Sequence, residues 1–229
     1  MRILLKLLAA ALCAAGCSSL ESAPELSALL DRVGGEGASG RIVAVVNPGL
    51  SSDGEEVFVI DRKRGKPYVE GSSLSAASAG IGWYLNHYAG INLHWNCLTT
   101  DLADVELPLP DKPERRKTSA GMRYYLNYCT FSYTMAFWDW DRWEKEIDWM
   151  ALRGINMPLV IVGVDCVWKN ILGELGYDKE EINGFVAGPG FQAWGLMGNL
   201  QGWGGPNPDW WYERQEQLCH QILGRMRAL

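Results

Sequence analysis

The sequence predicts an α/β protein with two domains, a small α/β module followed by the start of a parallel β/α fold. Strand-like and helix-like stretches alternate after position 118, which is typical of a parallel sheet flanked by helices. Residues 155–163 (INMPLVIVG) are almost continuously apolar, as in strands that are buried on both faces. Residues 107–117 hold three prolines among charged residues. Because proline cannot join a sheet ladder, we place the domain boundary there.

The first module covers residues 23–113. Short β-branched runs bounded by Gly, Pro and Asp predict strands at 41–47 and 56–61. In residues 72–88, small side chains give way to larger apolar ones at helical spacing, which predicts a helix. A further strand is predicted at 93–97.

The second module, residues 118–229, opens with a predicted Tyr-rich strand at 122–129. Asp139 is expected to cap the helix that follows, since its carboxylate can accept a free backbone N–H. Gly154 is expected to end that helix. The apolar run 155–163 is the second strand, and helical segments are predicted after it at 164–175, 179–186 and 210–229.

The helix after Asp139 is predicted to have two different faces. Apolar side chains recur at helical spacing along one stripe, and Trp140, Trp143 and Trp149 are expected to pack in the core. The acidic side chains of the same helix are expected to lie on a solvated face. They are Asp141, Glu144, Glu146 and Asp148.

The first 22 residues have the pattern of an export signal. Arg2 and Lys6 give a positive start, a short apolar run follows at 7–12, and small residues precede Cys17. The apolar run is too short to span a bilayer as a helix. A Cys in this position resembles a bacterial lipoprotein signal, in which Cys17 becomes the lipidated first residue of the mature chain. We therefore expect an exported lipoprotein held at the membrane of the cell envelope or, failing that, a secreted protein.

Composition argues against several classes of function. The formal net charge is −6 and Lys and Arg are not clustered over any long stretch, so nucleic acid is not an expected partner. The four cysteines after the signal have no paired spacing, and only three histidines accompany them. Neither a metal site nor a cofactor is therefore expected. Export permits disulfides, but buried free thiols are the favoured interpretation.

Nine of the eleven tryptophans lie between Trp138 and Trp211, and aromatic-rich clefts commonly hold sugar rings. The informative residues of this stretch are Arg123-Tyr124-Tyr125, Asn127, Cys129-Thr130, Ser132-Tyr133, Trp138-Asp139-Trp140, Arg142-Trp143-Glu144, 146–152, Gly154-Ile155-Asn156, Glu181-Ile182-Asn183, Gly188-Pro189, Phe191, Ala193-Trp194-Gly195, Met197-Gly198-Asn199-Leu200, Gly202-Trp203-Gly204-Gly205-Pro206 and Pro208. In this order they resemble the alpha-N-acetylglucosaminidase family, glycoside hydrolase family 89. The first module, with residues 80–88 and Trp95, is similar to that family's small N-terminal domain.

The resemblance implies an enzyme that removes terminal α-linked N-acetylglucosamine from glycans, with retention at the anomeric carbon. It implies a (β/α)8 barrel of the TIM type as the catalytic domain, of which residues 118–229 hold the first two β/α units. Such barrels place their active sites at the C-terminal ends of the strands.

Five residues match positions that line the family's sugar pocket. They are Asn127, Cys129, Tyr133, Trp194 and Met197. The Trp194 indole can cover the apolar face of a pyranose ring. The Asn127 amide and the Tyr133 hydroxyl can hydrogen-bond sugar hydroxyls, and Met197 can fill the space around an acetyl methyl.

Retaining hydrolysis requires two carboxyl groups about 5–5.5 Å apart. The family carries them as glutamates on later barrel strands, and nothing up to Leu229 corresponds to them. At 163–165 the chain has Gly-Val-Asp where the family usually has Gly-Gln-Glu, so a contact between Asp165 and substrate is left open. We expect an N-terminal fragment that does not cleave glycans by itself.

Two other functions compete with this interpretation. The chain could be a carbohydrate-binding or vestigial surface lipoprotein that holds glycan without cleaving it, or a surface lipoprotein that serves as an assembly partner. Trp203, Trp210 and Trp211 fit either a sugar platform or a packed core equally well.

Overall fold

A computed structural model describes residues 23–229. The predicted export signal and the predicted lipidation site at Cys17 lie outside the described residues. Within 23–229, the helices are too short or too polar to cross a membrane.

The first domain is a four-stranded mixed sheet with helices packed on it. In chain order its elements are α1 (Pro24–Gly34), β1 (Val43–Val46), β2 (Glu56–Lys63), β3 (Lys66–Gly71), α2 (Leu74–His87) and β4 (Glu114–Thr118). The strands lie in the order β1-β3-β2-β4, with β1 parallel to β3 and the other two pairs antiparallel. The predicted strands at 41–47 and 56–61 and the helix at 72–88 are confirmed.

Two local expectations for this domain need correction. Residues 93–97 form a tight turn instead of a strand, because His94 and Cys97 exchange both backbone hydrogen bonds, at 2.9 and 2.7 Å. Within the predicted linker 107–117, the proline-containing part stays outside the sheet, but the proline-free run that follows forms β4. That strand is charged and lies at the sheet edge, next to β2.

The second domain begins with a two-stranded parallel pair, β5 (Tyr124–Tyr125) and β6 (Met157–Pro158). The predicted strands at 122–129 and 155–163 are therefore real in position but much shorter than expected. Within residues 23–229 these two strands pair only with each other. Pro158 offers no N–H to the ladder, which limits its length.

The second domain has five helices in the part of the chain that the structure describes, and all but the one at 192–196, which was not predicted, agree closely with the predicted segments. They are α3 (Trp140–Leu152), α4 (Val164–Glu174), α5 (Lys179–Phe185), α6 (Gln192–Leu196) and α7 (Asp209–Ala228). The Asp139 carboxylate accepts the Arg142 N–H at 3.0 Å, which confirms the predicted cap. Gly154 follows the helix with φ of 70°, a conformation that glycine adopts without strain.

The expectation of a solvated acidic face on α3 is wrong for two of its four residues. Glu146 is fully buried, and its carboxylate accepts hydrogen bonds from Trp95 Nε1 at 2.9 Å, the Tyr125 hydroxyl at 2.8 Å and Arg142 at 3.0 Å. Trp143 is buried on the apolar stripe, as predicted. Part of the charged side of α3 is therefore covered as well, because neighbouring segments supply donors to Glu146.

Asp148 is the second buried carboxylate of α3. Arg32 of α1 donates to it at 2.7 and 3.1 Å, and Arg225 of α7 donates to it at 2.6 Å. One carboxylate thus joins the first domain, the first helix of the second domain and the long helix α7.

Arg123 makes a second connection between the domains. Its guanidinium bonds to Glu56 of β2, to Ser75 Oγ of α2 at 3.0 Å and to the carbonyl of Gly154. Helices α2 and α3 also approach closely, since a side chain at Gly82 would collide with the Leu152 carbonyl.

Replacing Glu146 with Ala is expected to destabilise the chain strongly, by about 3 kcal/mol, since three donors lose their shared buried acceptor. Asp141→Ala, on the exposed side of the same helix, should cost no more than about 0.5 kcal/mol. Urea unfolding of the full chain monitored by tryptophan fluorescence measures both, and equal midpoints would contradict the burial of Glu146.

Candidate functional site

The segment after β5 carries three of the five predicted site residues. The Asn127 side-chain oxygen accepts the Cys129 N–H at 3.0 Å, and the Cys129 carbonyl accepts the Tyr133 N–H at 3.3 Å. These bonds lead into a π-helical turn, Phe131–Met135, whose two terminal side chains are buried. Between these anchors the Tyr133 side chain is 78% exposed. The turn therefore presents Tyr133 to the surface from a fixed base.

Trp194 and Met197 come from α6 and its C-terminal end. The Tyr133 and Trp194 rings meet edge to face, with centroids 5.1 Å apart and planes at 88°. Met197 lies three residues after Trp194 with its side chain exposed. The structure thus brings Tyr133 and Trp194 into contact. Asn127, which precedes Tyr133 in the chain, and Met197, which follows Trp194, both lie at the surface.

Ser132 holds the two segments together. Its hydroxyl donates to the Pro189 carbonyl at 3.3 Å and accepts the Ala193 N–H at 3.0 Å. The π-helical turn is therefore fastened to the loop and to the first turn of α6, which fixes the relative position of the rings on either side.

Two further aromatic residues extend the surface beyond the predicted set. Phe191 lies with its ring centroid 6.5 Å from that of Trp194 and 6.2 Å from that of Trp203. Trp203 is 63% exposed. We call Tyr133, Phe191, Trp194 and Trp203 the aromatic face. The spacing of Phe191 and Trp194, three residues apart on a short helical segment, was the available sequence signal for Phe191.

Asp165 is buried next to this region, and its carboxylate is already engaged. One oxygen accepts the Cys166 N–H at 3.0 Å, and the other accepts the Trp211 indole N–H at 2.9 Å. Burial raises the pKa of Asp165, while the hydrogen bonds from Trp211 and Cys166 lower it. Burial also raises the pKa of the neighbouring Cys166 thiol to about 12. The Trp211 indole therefore donates its hydrogen bond to the buried Asp165 carboxylate, whereas the Trp210 side chain is exposed.

The chemistry available here is binding of a ring-shaped ligand. Aromatic rings offer apolar faces, and the phenol of Tyr133 and the amide of Asn127 offer hydrogen bonds. Residues 23–229 contain no group of three His, Cys, Asp or Glu side chains arranged to hold a metal ion. Cys97, Cys129, Cys166 and Cys219 are all free thiols, of which Cys166 is buried.

Ser132→Ala should loosen the fastening between the two segments. The Ala193 N–H loses its acceptor, at a cost of about 1 kcal/mol, and its hydrogen exchange should accelerate about five-fold. Thr134→Ala, in the same turn but exposed, is the matched control and should leave Ala193 unchanged. Equal exchange rates in the two variants would show that Ser132 does not join the segments.

Family models match both domains. The model for the alpha-N-acetylglucosaminidase (NAGLU) N-terminal domain matches residues 25–110, and the model for the TIM-barrel domain of the same family matches residues 123–229. Human alpha-N-acetylglucosaminidase is 44% identical over 162 residues, which are 70% of this chain and 21% of the human protein. The chain thus spans about a fifth of the length of that curated relative.

Solved structures of a family 89 glycoside hydrolase from Clostridium perfringens have the same fold. One, in complex with 2-acetamido-1,2-dideoxynojirmycin, superposes with a TM-score of 0.81 at 32% identity over 89% of this chain and 23% of the other. Another, in complex with PUGNAc, gives 0.82 at 32% identity over 90% of this chain and 23% of the other. The chain belongs to the alpha-N-acetylglucosaminidase family, glycoside hydrolase family 89, and comprises that family's N-terminal domain and part of its TIM barrel.

Proposed function

We propose that this chain forms the sugar-holding side of an exported alpha-N-acetylglucosaminidase that releases terminal α-linked N-acetylglucosamine from glycans with retention. The observation that carries the proposal is the contact between Tyr133 and Trp194 just beyond the first barrel strand, where TIM-barrel enzymes bind substrate. A variant of the C. perfringens enzyme with two glutamates replaced by glutamine is known in complex with GlcNAc-alpha-1,4-galactose. That ligand supports the same sugar class for this chain.

In this proposal the aromatic face and its neighbours have separate tasks. Trp194 covers the apolar face of the N-acetylglucosamine ring, and Tyr133 and Asn127 bond to its polar groups. Met197 and Cys129 fill the remaining wall. These residues bind and orient the sugar, and the two carboxyl groups that cleave the bond are supplied from outside residues 23–229.

Asp165 is not proposed as one of the cleaving groups. It is buried, and its two oxygens accept hydrogen bonds from Cys166 and from Trp211, which makes it an internal hydrogen-bond acceptor. Its proposed task is to anchor the start of α7 to the start of α4.

Export and membrane attachment complete the proposal. They rest on the sequence pattern around Cys17, where a thioether-linked lipid would hold the protein at the cell envelope. The proposed partners are accordingly a glycan with terminal α-N-acetylglucosamine and a membrane, and no nucleic acid.

The second candidate is a glycan-binding protein without hydrolytic activity. It requires only the rings of the aromatic face, which form a continuous chain of ring contacts. The same aromatic face would then hold the sugar without a subsequent reaction.

Two measurements on the full chain test the proposal. N-acetylglucosamine should bind and Trp194→Ala should weaken binding at least ten-fold, whereas Trp210→Ala, at a more exposed tryptophan outside the aromatic face, should not. Saturation-transfer NMR with the free sugar gives this comparison, and equal losses in both variants would remove the assignment of the face.

Hydrolysis of an aryl α-N-acetylglucosaminide separates the two candidates. The 229-residue chain alone is expected to release no aryl alcohol, because the cleaving carboxyl groups are placed elsewhere. A polypeptide extended by further barrel units should release the aryl alcohol if the protein is a glycosidase. It should remain inactive if the protein only binds glycan. Release by the 229 residues alone would contradict the placement of those groups.

A further inference from the structure

A cavity of about 450 Å³ lies at the junction of the two domains, and it shares no residue with the aromatic face. Its walls come from β2 and β4 of the sheet, from α2 and from the C-terminal end of α3. Small-ligand pockets typically have volumes of about 300–1,000 Å³. The cavity is therefore large enough for one monosaccharide-sized molecule.

One wall of the cavity is aromatic. The Trp83 ring is flanked by Phe58, with centroids 6.1 Å apart, and by His87, with centroids 3.9 Å apart. The Arg116 guanidinium carbon lies 4.7 Å from the centroid of the Trp83 ring. This wall combines a flat apolar surface with a positive charge held over it.

The rest of the lining is rich in cations. Arg116, Lys117, Arg123 and Arg153 line the cavity, and Glu56 is the carboxylate among its lining residues. Three of the cations have acidic partners: Arg123 pairs with Glu56, Lys117 with Glu55 at 2.8 Å and Arg116 with Glu114 through Nε at 2.6 Å.

Arg153 is the exception. Its guanidinium donates to the Asn92 side-chain oxygen at 2.9 Å and to the Leu93 carbonyl, and within residues 23–229 no carboxylate lies within 4 Å of it. The terminal nitrogens of Arg116 likewise make no hydrogen bond to the described chain, since Glu114 takes only its Nε. The cavity lining therefore carries more positive than negative charge, although the protein has a net charge of −6. The guanidinium N–H groups without a carboxylate partner can donate to a negatively charged group.

We propose that this cavity binds a monosaccharide-sized organic anion, with its carboxylate or sulfate on Arg116 and Arg153 and its ring against Trp83. Arg116 belongs to the first domain and Arg153 to the second, so such a ligand would bridge the two domains. The two domains are in close contact at this point, through the approach of Gly82 to Leu152 and the bonds of Arg123. The site is independent of the proposed glycosidase function.

Binding of D-glucuronate and of D-glucose to the full chain tests the charge requirement. The two sugars differ only in the carboxylate, and titration followed by calorimetry or amide chemical shifts compares them directly. Glucuronate should bind with a dissociation constant in the millimolar range, about −4 kcal/mol, and glucose at least ten-fold more weakly. The proposal would be overturned by equal affinities for the two sugars. It would also be overturned if glucuronate did not bind at about 50 times the expected dissociation constant.

Variants locate the binding. Arg116→Gln and Arg153→Gln should each weaken glucuronate at least ten-fold, whereas Arg62→Gln, at an exposed arginine of β2 outside the cavity, should not. Thermal melts show whether a variant is folded, and Arg116→Gln keeps the test open if loss of the Arg153 bonds to the 92–93 turn unfolds the chain. A matching loss in Arg62→Gln would mean diffuse surface attraction.

Inorganic sulfate and Trp83→Leu test the contact with the ring. Glucuronate should bind more tightly than sulfate, and Trp83→Leu should reduce this preference. Sulfate binding as tight as glucuronate binding and insensitive to Trp83 would mean a bare anion site and would contradict the proposed ring contact. Because these ligands and variants share nothing with the N-acetylglucosamine test, the two proposals can fail separately.

Discussion

Burial of two carboxylates on helix α3 is the constraint on which the rest of the structure depends. Glu146 and Asp148 are both withdrawn from water, and a buried charge is tolerated only when it is paired and hydrogen-bonded. Four neighbouring segments therefore contribute donors: Trp95 from the first domain, Tyr125 from the first barrel strand, Arg32 from α1 and Arg225 from α7. The two domains are joined by matched polar groups as well as by apolar packing.

The same constraint reaches the aromatic face. Tyr125 donates to Glu146 and directly precedes the segment that carries Asn127, Cys129 and Tyr133. Burial and the Glu146 carboxylate both raise the pKa of Tyr125, so the phenol keeps its proton and its bond even at alkaline pH values at which an exposed tyrosine ionises. The base of the proposed sugar site is thereby held at β5 by Glu146, while Ser132 sets its position relative to α6.

Local patterns in the sequence predicted the helices well, since caps and periodicity are local properties. Asp139 and Gly154 mark the ends of α3 in the sequence as they do in the structure. The burial of Asp148 could not be predicted in this way, because its partner Arg32 lies 116 residues away. A charged residue on a helix looks the same in sequence whether water or an arginine faces it.

The lengths of the strands and the assembly of the site also could not be predicted from local patterns. The apolar run 155–163 indicated a strand, but the length of a strand depends on its neighbours, and only Met157–Pro158 pairs here. The five site residues came from the family resemblance. In the structure, the turn that carries Tyr133 is joined to α6 by the hydrogen bond between Ser132 and Ala193, which are 61 residues apart. No periodicity in the sequence encodes this bond.

The partners of Asp148 also set an order of events during synthesis. Arg32 is made long before Asp148, whereas Arg225 follows it by 77 residues, a delay of roughly 4 to 15 s at typical rates of bacterial and eukaryotic translation. During that interval the first domain and α3 can already meet through Arg32. The Asp148 oxygen to which Arg225 later donates is still exposed to water. Closure of this core therefore waits for α7 to be made, and until then a chaperone or an export factor meets a chain whose junction is only half covered.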